Sequence, residues 1–319
     1  GCPSNGTYAT AGGVGVTREV RVFASREAAA AAVEKLIDQV DERPGALFSS
    51  SYEVPRRYAR WTMGFVDPPI VLSGRDRDFE LRALNERGEV LLRTFRPCLA
   101  ACDAVDSVDW IAPGTDSTSS DSREFARLRG QIKVSTQVFA EEDRSKQPSL
   151  LSVVRAIVDA LYHPGETQLG LYGAFGYDLM FQFEPLEKKL VRDPRQRDLV
   201  LYLPDDILVV DQRENSAWRV LYDFSWCSPG DSETCDTAPI ARAQAAASPP
   251  STKKTSASDV RPVFAPRDMA PGEFGAMVKT AKEEFKCGNL FEVVLSQQWR
   301  EDASQTPPSA VFRELRQRN

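Results

Sequence analysis

Histidine is almost missing from this chain: a single one, His163, occurs in 319 residues. That excludes a metal centre built on several imidazoles, and a Cys-His pair would have to use this one ring. His163 stands beside Pro164-Gly165 after an apolar helical pattern, the place of a surface or helix-end residue. Long apolar runs are missing too. None approaches the ~20 residues that cross a bilayer, and none has the order of a signal peptide. Excess positive charge is absent, since 40 Lys and Arg face 46 Asp and Glu, a net charge of −6. Such a surface does not attract phosphate backbones or anionic lipid, so neither nucleic acid nor a membrane is an expected partner. The six cysteines, Cys2, Cys98, Cys102, Cys227, Cys235 and Cys287, are too sparse for a disulfide scaffold. Cys98 and Cys102 have no second pair at zinc spacing. Free thiols in a reducing, cytoplasmic setting are the expectation. The chain begins at Gly1 rather than Met, so a lost plastid-targeting segment is the alternative.

What is present reads as a mixture of helices and strands, long enough for two domains or for one domain and part of another. Ala31, Val33, Leu36, Ile37 and Val40 form one helical stripe, stopped by Pro44-Gly45, and residues 46–52 then read as a strand. Residues 70–93 read as strand, turn, strand, with Asn85-Glu86-Arg87-Gly88 as the turn. The Asp, Ser and Thr of residues 103–123 suggest a surface loop before a strand at 131–138. Pro148-Ser149 opens a helix through Leu151, Val154, Ile157, Val158 and Leu161. Strands at 199–203, 207–210 and 218–224 suggest an antiparallel meander.

Residues 225–262 are dominated by Ser, Pro, Thr, Ala and Lys and read as a low-complexity linker or insertion. A further helical stripe, Phe274 to Phe285, ends at Gly288, and a strand at 290–299 follows. Pro307-Pro308 and Ser309 then begin a last helix. The fold class expected is α+β, with antiparallel sheets packed on helices.

Few motifs carry chemistry unaided. Gly12-Gly13-Val14-Gly15 lacks both the third glycine of a dinucleotide fingerprint and a P-loop lysine, and reads as a strand-entry loop. Gly170-Leu171-Tyr172-Gly173-Ala174-Phe175-Gly176-Tyr177-Asp178 is more distinctive, with glycines every third residue and aromatics between them. By composition alone it is a tightly packed strand and turn.

Residues 170–184 resemble the "GLFGYFSYDL...FE" block of anthranilate synthase component I, and residues 288–297 resemble that family's "GDIFQVVLSQ" block. Residues 49–61, 198–211 and 271–274 are similar to the large form in which synthase and glutamine amidotransferase are fused. The resemblance implies the amino-terminal part of an enzyme that converts chorismate and glutamine-derived ammonia into anthranilate and pyruvate, with Mg2+ as cofactor and tryptophan as inhibitor. It further implies a glutamine amidotransferase domain or subunit as partner. The family's magnesium-binding glutamates and chorismate-holding arginine and tyrosine belong to later motifs, so no catalytic or metal residue is assigned here. Leu47-Phe48-Ser49-Ser50 aligns with the family's "LLES" motif, whose serine contacts the inhibitor, and this makes Ser50 the expected tryptophan contact. From the residues alone Ser50 is a turn serine capping its own backbone.

The organisation expected is a regulatory domain at 1–224, a linker at 225–262, and an incomplete start of a chorismate-utilising domain at 263–319. Aminodeoxychorismate and isochorismate synthases share the scaffold and are the nearest alternatives. A non-catalytic amino-acid-binding or interaction module is the alternative of another class.

Overall fold

The computed structural model describes residues 2–49, 60–114, 125–135, 137, 139–184, 186, 191–227, 234–242, 267–300, 302 and 306–318. The chain divides into two compact units, Gly1–Ser248 with Arg316–Asn319, and Pro249–Leu315. The first unit opens with β1 (Gly6–Ala9), β2 (Gly15–Val22), α1 (Arg26–Gln39), β3 (Gly45–Ser49), β4 (Trp61–Val66), β5 (Ile70–Arg75) and β6 (Asp78–Ala83). It continues with α2 (Glu86–Ala100), β7 (Val105–Ile111), β8 (Arg127–Ile132), α3 (Leu150–Leu161) and β9 (Tyr172–Phe175). β10 (Leu199–Leu203), β11 (Asp206–Asp211), β12 (Ser216–Cys227) and β13 (Thr234–Asp236) complete it. The second unit holds α4 (Glu273–Lys286) and the first turns of α5 (Pro308–Arg318). No helix among the described residues is long and apolar enough to cross a membrane.

The strands form two antiparallel sheets. A seven-stranded sheet runs β1-β2-β12-β11-β4-β3, with β13 paired to the end of β12. A six-stranded sheet runs β7-β8-β6-β5-β10-β9. This is the α+β class expected, and the two sheets share one apolar core. Trp218, Val220, Tyr222 and Phe224 alternate along β12 toward that core, where they join Leu72 and Leu81 of the six-stranded sheet. Leu91, Leu92, Phe95 and Leu99 of α2 and Val153 and Ile157 of α3 fill it further. Each fully buried side chain of this size contributes roughly 1.5–3 kcal/mol over an exposed one.

Helix starts follow the capping chemistry. Ser25 accepts from the Ala28 N–H at 3.2 Å ahead of α1, whose buried stripe Ala29, Val33, Leu36 and Ile37 packs on β4 and β12. The Ser149 N–H donates to the Ser152 hydroxyl at 3.3 Å at the start of α3. Gly288 follows α4 with φ +77°, a left-handed conformation that suits glycine.

Several expectations are corrected. Asn85-Glu86-Arg87-Gly88 is no hairpin turn: the Asn85 side chain accepts from the Gly88 N–H at 3.0 Å and starts α2, so Val90, Leu91 and Leu92 are helical. The hairpin lies earlier, at Asp76-Arg77, between β5 and β6. Residues 105–111, expected within a loop, form β7, because Val105, Val108 and Trp110 pack on the core while the aspartates face out. The strand expected at 131–138 is β8, which begins at Arg127 and ends at Ile132.

The meander also breaks. β10 pairs with β5 and β9, whereas β11 pairs with β4 and β12, so Pro204-Asp205 carries the chain from one sheet to the other. Part of the expected linker belongs to the sheet. β12 extends through Cys227, β13 pairs Trp226 with Cys235, and Thr237 is buried; residues 228–233 and 243–262 lie outside the described residues. Residues 290–299 make only an isolated bridge, Arg267 to Trp299, among the described residues. A strand needs a neighbour, and no ladder is there to supply one.

Candidate functional site

β3 and β9 each lie at one end of their sheets, and aromatic side chains join them. In the register of β3 on β4, Ala46 faces Phe65 and Phe48 faces Met63, so these four side chains share one face. On that face the Phe65 ring lies 6.0 Å from Tyr172 of β9 and 5.8 Å from Tyr202 of β10, and Phe48 lies 6.3 Å from Tyr172. Phe65 is fully buried, while Phe48 is 39% exposed, so the cluster grades from core to rim along β3. The opposite face carries Ser49, whose hydroxyl is 3.2 Å from that of Thr62. Ser50, the expected tryptophan contact, lies outside the described residues.

The distinctive glycine-aromatic segment forms β9 and the 3-10 turn Tyr177–Gln182. Gly173 is required by close approach, since a Cβ there would sit 2.0 Å from the Val200 carbonyl oxygen. Ahead of it, Glu166 anchors the turn that delivers Tyr172. Tyr8 of β1 and Arg18 of β2 both donate to its Oε2 at 2.7 Å. Tyr222 of β12 donates to Oε1 at 2.9 Å, joined by the backbone N–H groups of Thr167, Gln168 and Leu169. Burial pulls the Glu166 carboxyl up, but the backbone N–H of Gln168, then Tyr8, Tyr222 and Arg18, outweigh it and hold it below the usual carboxylate range. Burial, followed by that carboxylate, pushes the Tyr222 phenol up; for Tyr8 burial again leads, then the hydrogen bond to Glu166.

Gln168 extends the anchor. Trp218 Nε1 donates to its Oε1 at 3.2 Å, and the Tyr172 hydroxyl donates to its backbone carbonyl at 2.5 Å. Sequence reasoning missed Glu166 and Gln168, because their partners on β1, β2 and β12 lie some 50 to 158 residues away in the chain. Of the other residues singled out, His163 stacks on Tyr8 at 4.2 Å and accepts from the Gly165 N–H. Cys98 donates to the Ala156 carbonyl, burial pushes its thiol up, and none of the six cysteines is in a disulfide. Gly12-Gly13-Val14 closes the β1-β2 hairpin.

The described residues do not fit magnesium. Asp76, Asp178 and Asp198 converge, but on the guanidinium of Arg192, which pairs with all three where a cation would sit. Among the described residues no group of three or more His, Cys, Asp or Glu side chains is arranged to hold a metal.

Two mixed-order antiparallel sheets around one core, with aromatic side chains meeting between β3 and β9 and a buried carboxylate holding the turn before β9, define an α+β scaffold. The family described as chorismate binding enzyme matches residues 117–319, and the chain belongs to that family. It is similar to the anthranilate synthase of Azospirillum brasilense, at 38% identity over 312 residues, which are 98% of this chain and 38% of that protein. Anthranilate synthase component 1 of Mycobacterium tuberculosis is 26% identical over 316 residues, 96% of this chain and 50% of that protein. That of Haemophilus influenzae is 21% identical over 277 residues, 86% of this chain and 49% of that protein. The chain thus spans half or less of the length of these relatives.

Proposed function

We propose that this chain is the amino-terminal part of an anthranilate synthase, and that it carries one wall of a tryptophan feedback site. The observation that carries the reading is the 38% identity to an anthranilate synthase along 98% of the chain. In this reading residues 1–224, with the sheet residues 225–227 and 234–237, are the regulatory part, the remainder of 225–262 connects, and residues 263–319 begin the chorismate-utilising domain. The whole enzyme takes chorismate and ammonia from glutamine, through an amidotransferase domain or subunit, and releases anthranilate and pyruvate. Magnesium serves that chemistry, with ligands outside the residues described here. Ser50 is the inhibitor contact, two positions after Phe48, whose ring meets Tyr172 at the rim.

The test has two arms. The 319-residue chain, given chorismate, magnesium and ammonium, is expected to form no anthranilate by fluorescence above a no-protein control, while the full-length polypeptide forms it. In the full-length polypeptide, Ser50→Ala removes one buried hydrogen bond to tryptophan, a loss of about 1–3 kcal/mol, and Ser50→Phe also obstructs the site. Both are expected to weaken inhibition with the uninhibited rate retained. An unchanged inhibition curve for Ser50→Phe at normal uninhibited rate returns Ser50 to a turn-capping role.

A further inference from the structure

We infer that Glu166 is the positioning residue of the tryptophan site proposed above, locking residues 166–172 onto the seven-stranded sheet so that Tyr172 braces Phe48 at the β3 rim. The inference rests on that reading of the rim and adds what holds the rim in shape.

β9 is short and, among the described residues, is bonded along one side only, to β10. Its first residue, Tyr172, is the one whose ring reaches both Phe48 and Phe65. The position of that ring is set by the preceding turn, because the Tyr172 hydroxyl donates to the Gln168 carbonyl and so folds the turn upon itself. The turn is fixed in its own right by Glu166. Its side chain is 3% exposed, and its two oxygens gather donors from β1, β2 and β12 as well as the turn's own backbone. Gln168 repeats the attachment through Trp218. The path from the middle of the seven-stranded sheet to the aromatic rim is therefore a chain of direct contacts: Tyr8, Arg18 and Tyr222 to Glu166, its turn to Tyr172, and Tyr172 to Phe48.

The charge and shape of Glu166 matter separately. A glutamine keeps one oxygen that still accepts from the turn and from Tyr222. Its NH2 group, however, would face the Arg18 guanidinium, which can only donate, so the ion pair at Oε2 is lost, while the Tyr8 hydroxyl must turn from donor to acceptor to stay bound. Tyr8→Phe is the gentler probe, since it deletes one donor on a strand that contacts neither β3 nor β9 in the sheet order.

The experiment measures anthranilate formation by the full-length polypeptide against tryptophan concentration for the parent, Glu166→Gln, Tyr8→Phe and Ser50→Phe. Glu166→Gln is expected to raise the half-inhibitory tryptophan concentration about fivefold or more, and Tyr8→Phe to shift it less in the same direction. For both, kcat and the chorismate KM are expected to stay within about twofold of the parent, which separates a positioning role from general damage. If Ser50→Phe relieves inhibition while Glu166→Gln and Tyr8→Phe keep the parent curve, the inference fails and the reading of the rim stands. If Ser50→Phe leaves inhibition intact, both fail. Where Glu166→Gln does not fold, the Tyr8→Phe curve decides alone.

Discussion

Arg87 is 2% exposed and spends all five of its N–H donors. They go to the Asp205 and Asp223 carboxylates and to the carbonyls of Tyr222, Thr237 and Ile240. Its planar fork meets acceptors on three sides, which an ammonium cannot reproduce. Arg87→Met should therefore strand the buried Asp205 carboxylate and the Thr237 and Ile240 carbonyls, since Arg242 still donates to Tyr222 and Asp223, at about 3–5 kcal/mol. A clear fall in the urea midpoint is expected, and Arg87→Lys should recover little of it. Glu166 makes a pH-dependent prediction. Its folded pKa lies below the unfolded value, so its contribution is present above the unfolded pKa and disappears as pH falls through the folded one. The stability gap between the parent and Glu166→Gln should be full near neutrality and close below about pH 4, the usual carboxylate range. A gap constant from neutral to acid pH, measured by urea unfolding, would remove the charge from the account. Neither residue was legible in the sequence. Arg87 sat in a string with turn composition, and Glu166 followed Pro164-Gly165, where a lone carboxylate looks like solvent-facing punctuation.

At the scale of elements, legibility followed how local the determining physics is. α1, α3 and α4 were readable because a stripe at helical spacing and a cap are both contained within a dozen residues. α2 was not, because Asn serves hairpin turns and helix N-caps equally well. The spacing of Leu91, Leu92, Phe95 and Leu99 was the signal that could have decided it. Asn85→Ala should cost about 1 kcal/mol through the lost cap, read as a lower Tm. A hairpin turn at that position would predict no helix-cap penalty. Strand partners were the harder problem. Alternation at 199–203 and 207–210 identifies strands without saying that the chain changes sheets between them, at a crossing where Asp205 meets Arg87 from far off in sequence. Gly173→Ala should press a methyl into the Val200 carbonyl and loosen β9 from β10. Faster amide exchange across β9 would report it, with the seven-stranded sheet unaffected.

For the molecule as a whole, residues 290–299 set its behaviour in solution. Phe291 is 98% exposed, Val294 84% and Trp299 64%, an apolar, strand-forming series without a ladder among the described residues. Such a segment invites pairing with another chain. The 319-residue chain is expected to self-associate as its concentration rises, and Val294→Lys to suppress this in sedimentation velocity. Equal association by the variant would place the contact elsewhere. The family resemblance was legible from two blocks, residues 170–184 and 288–297, and the structure gave the first of them a place at the rim.

The change of sheets at Pro204-Asp205 also has a meaning in time. β2 closes against β12, with Val16 opposite Phe224, and the six-stranded sheet is spun out almost entirely between the two. During synthesis at roughly 5–20 residues per second, the amino-terminal hairpin is therefore made on the order of ten seconds or more before its partner exists. Through that interval β2 has an open edge and Val14 and Val16 have no core to enter. A nascent chain of this design must finish the six-stranded sheet before it can close the seven-stranded one, so early arrest should leave β1 and β2 as the part that needs protection.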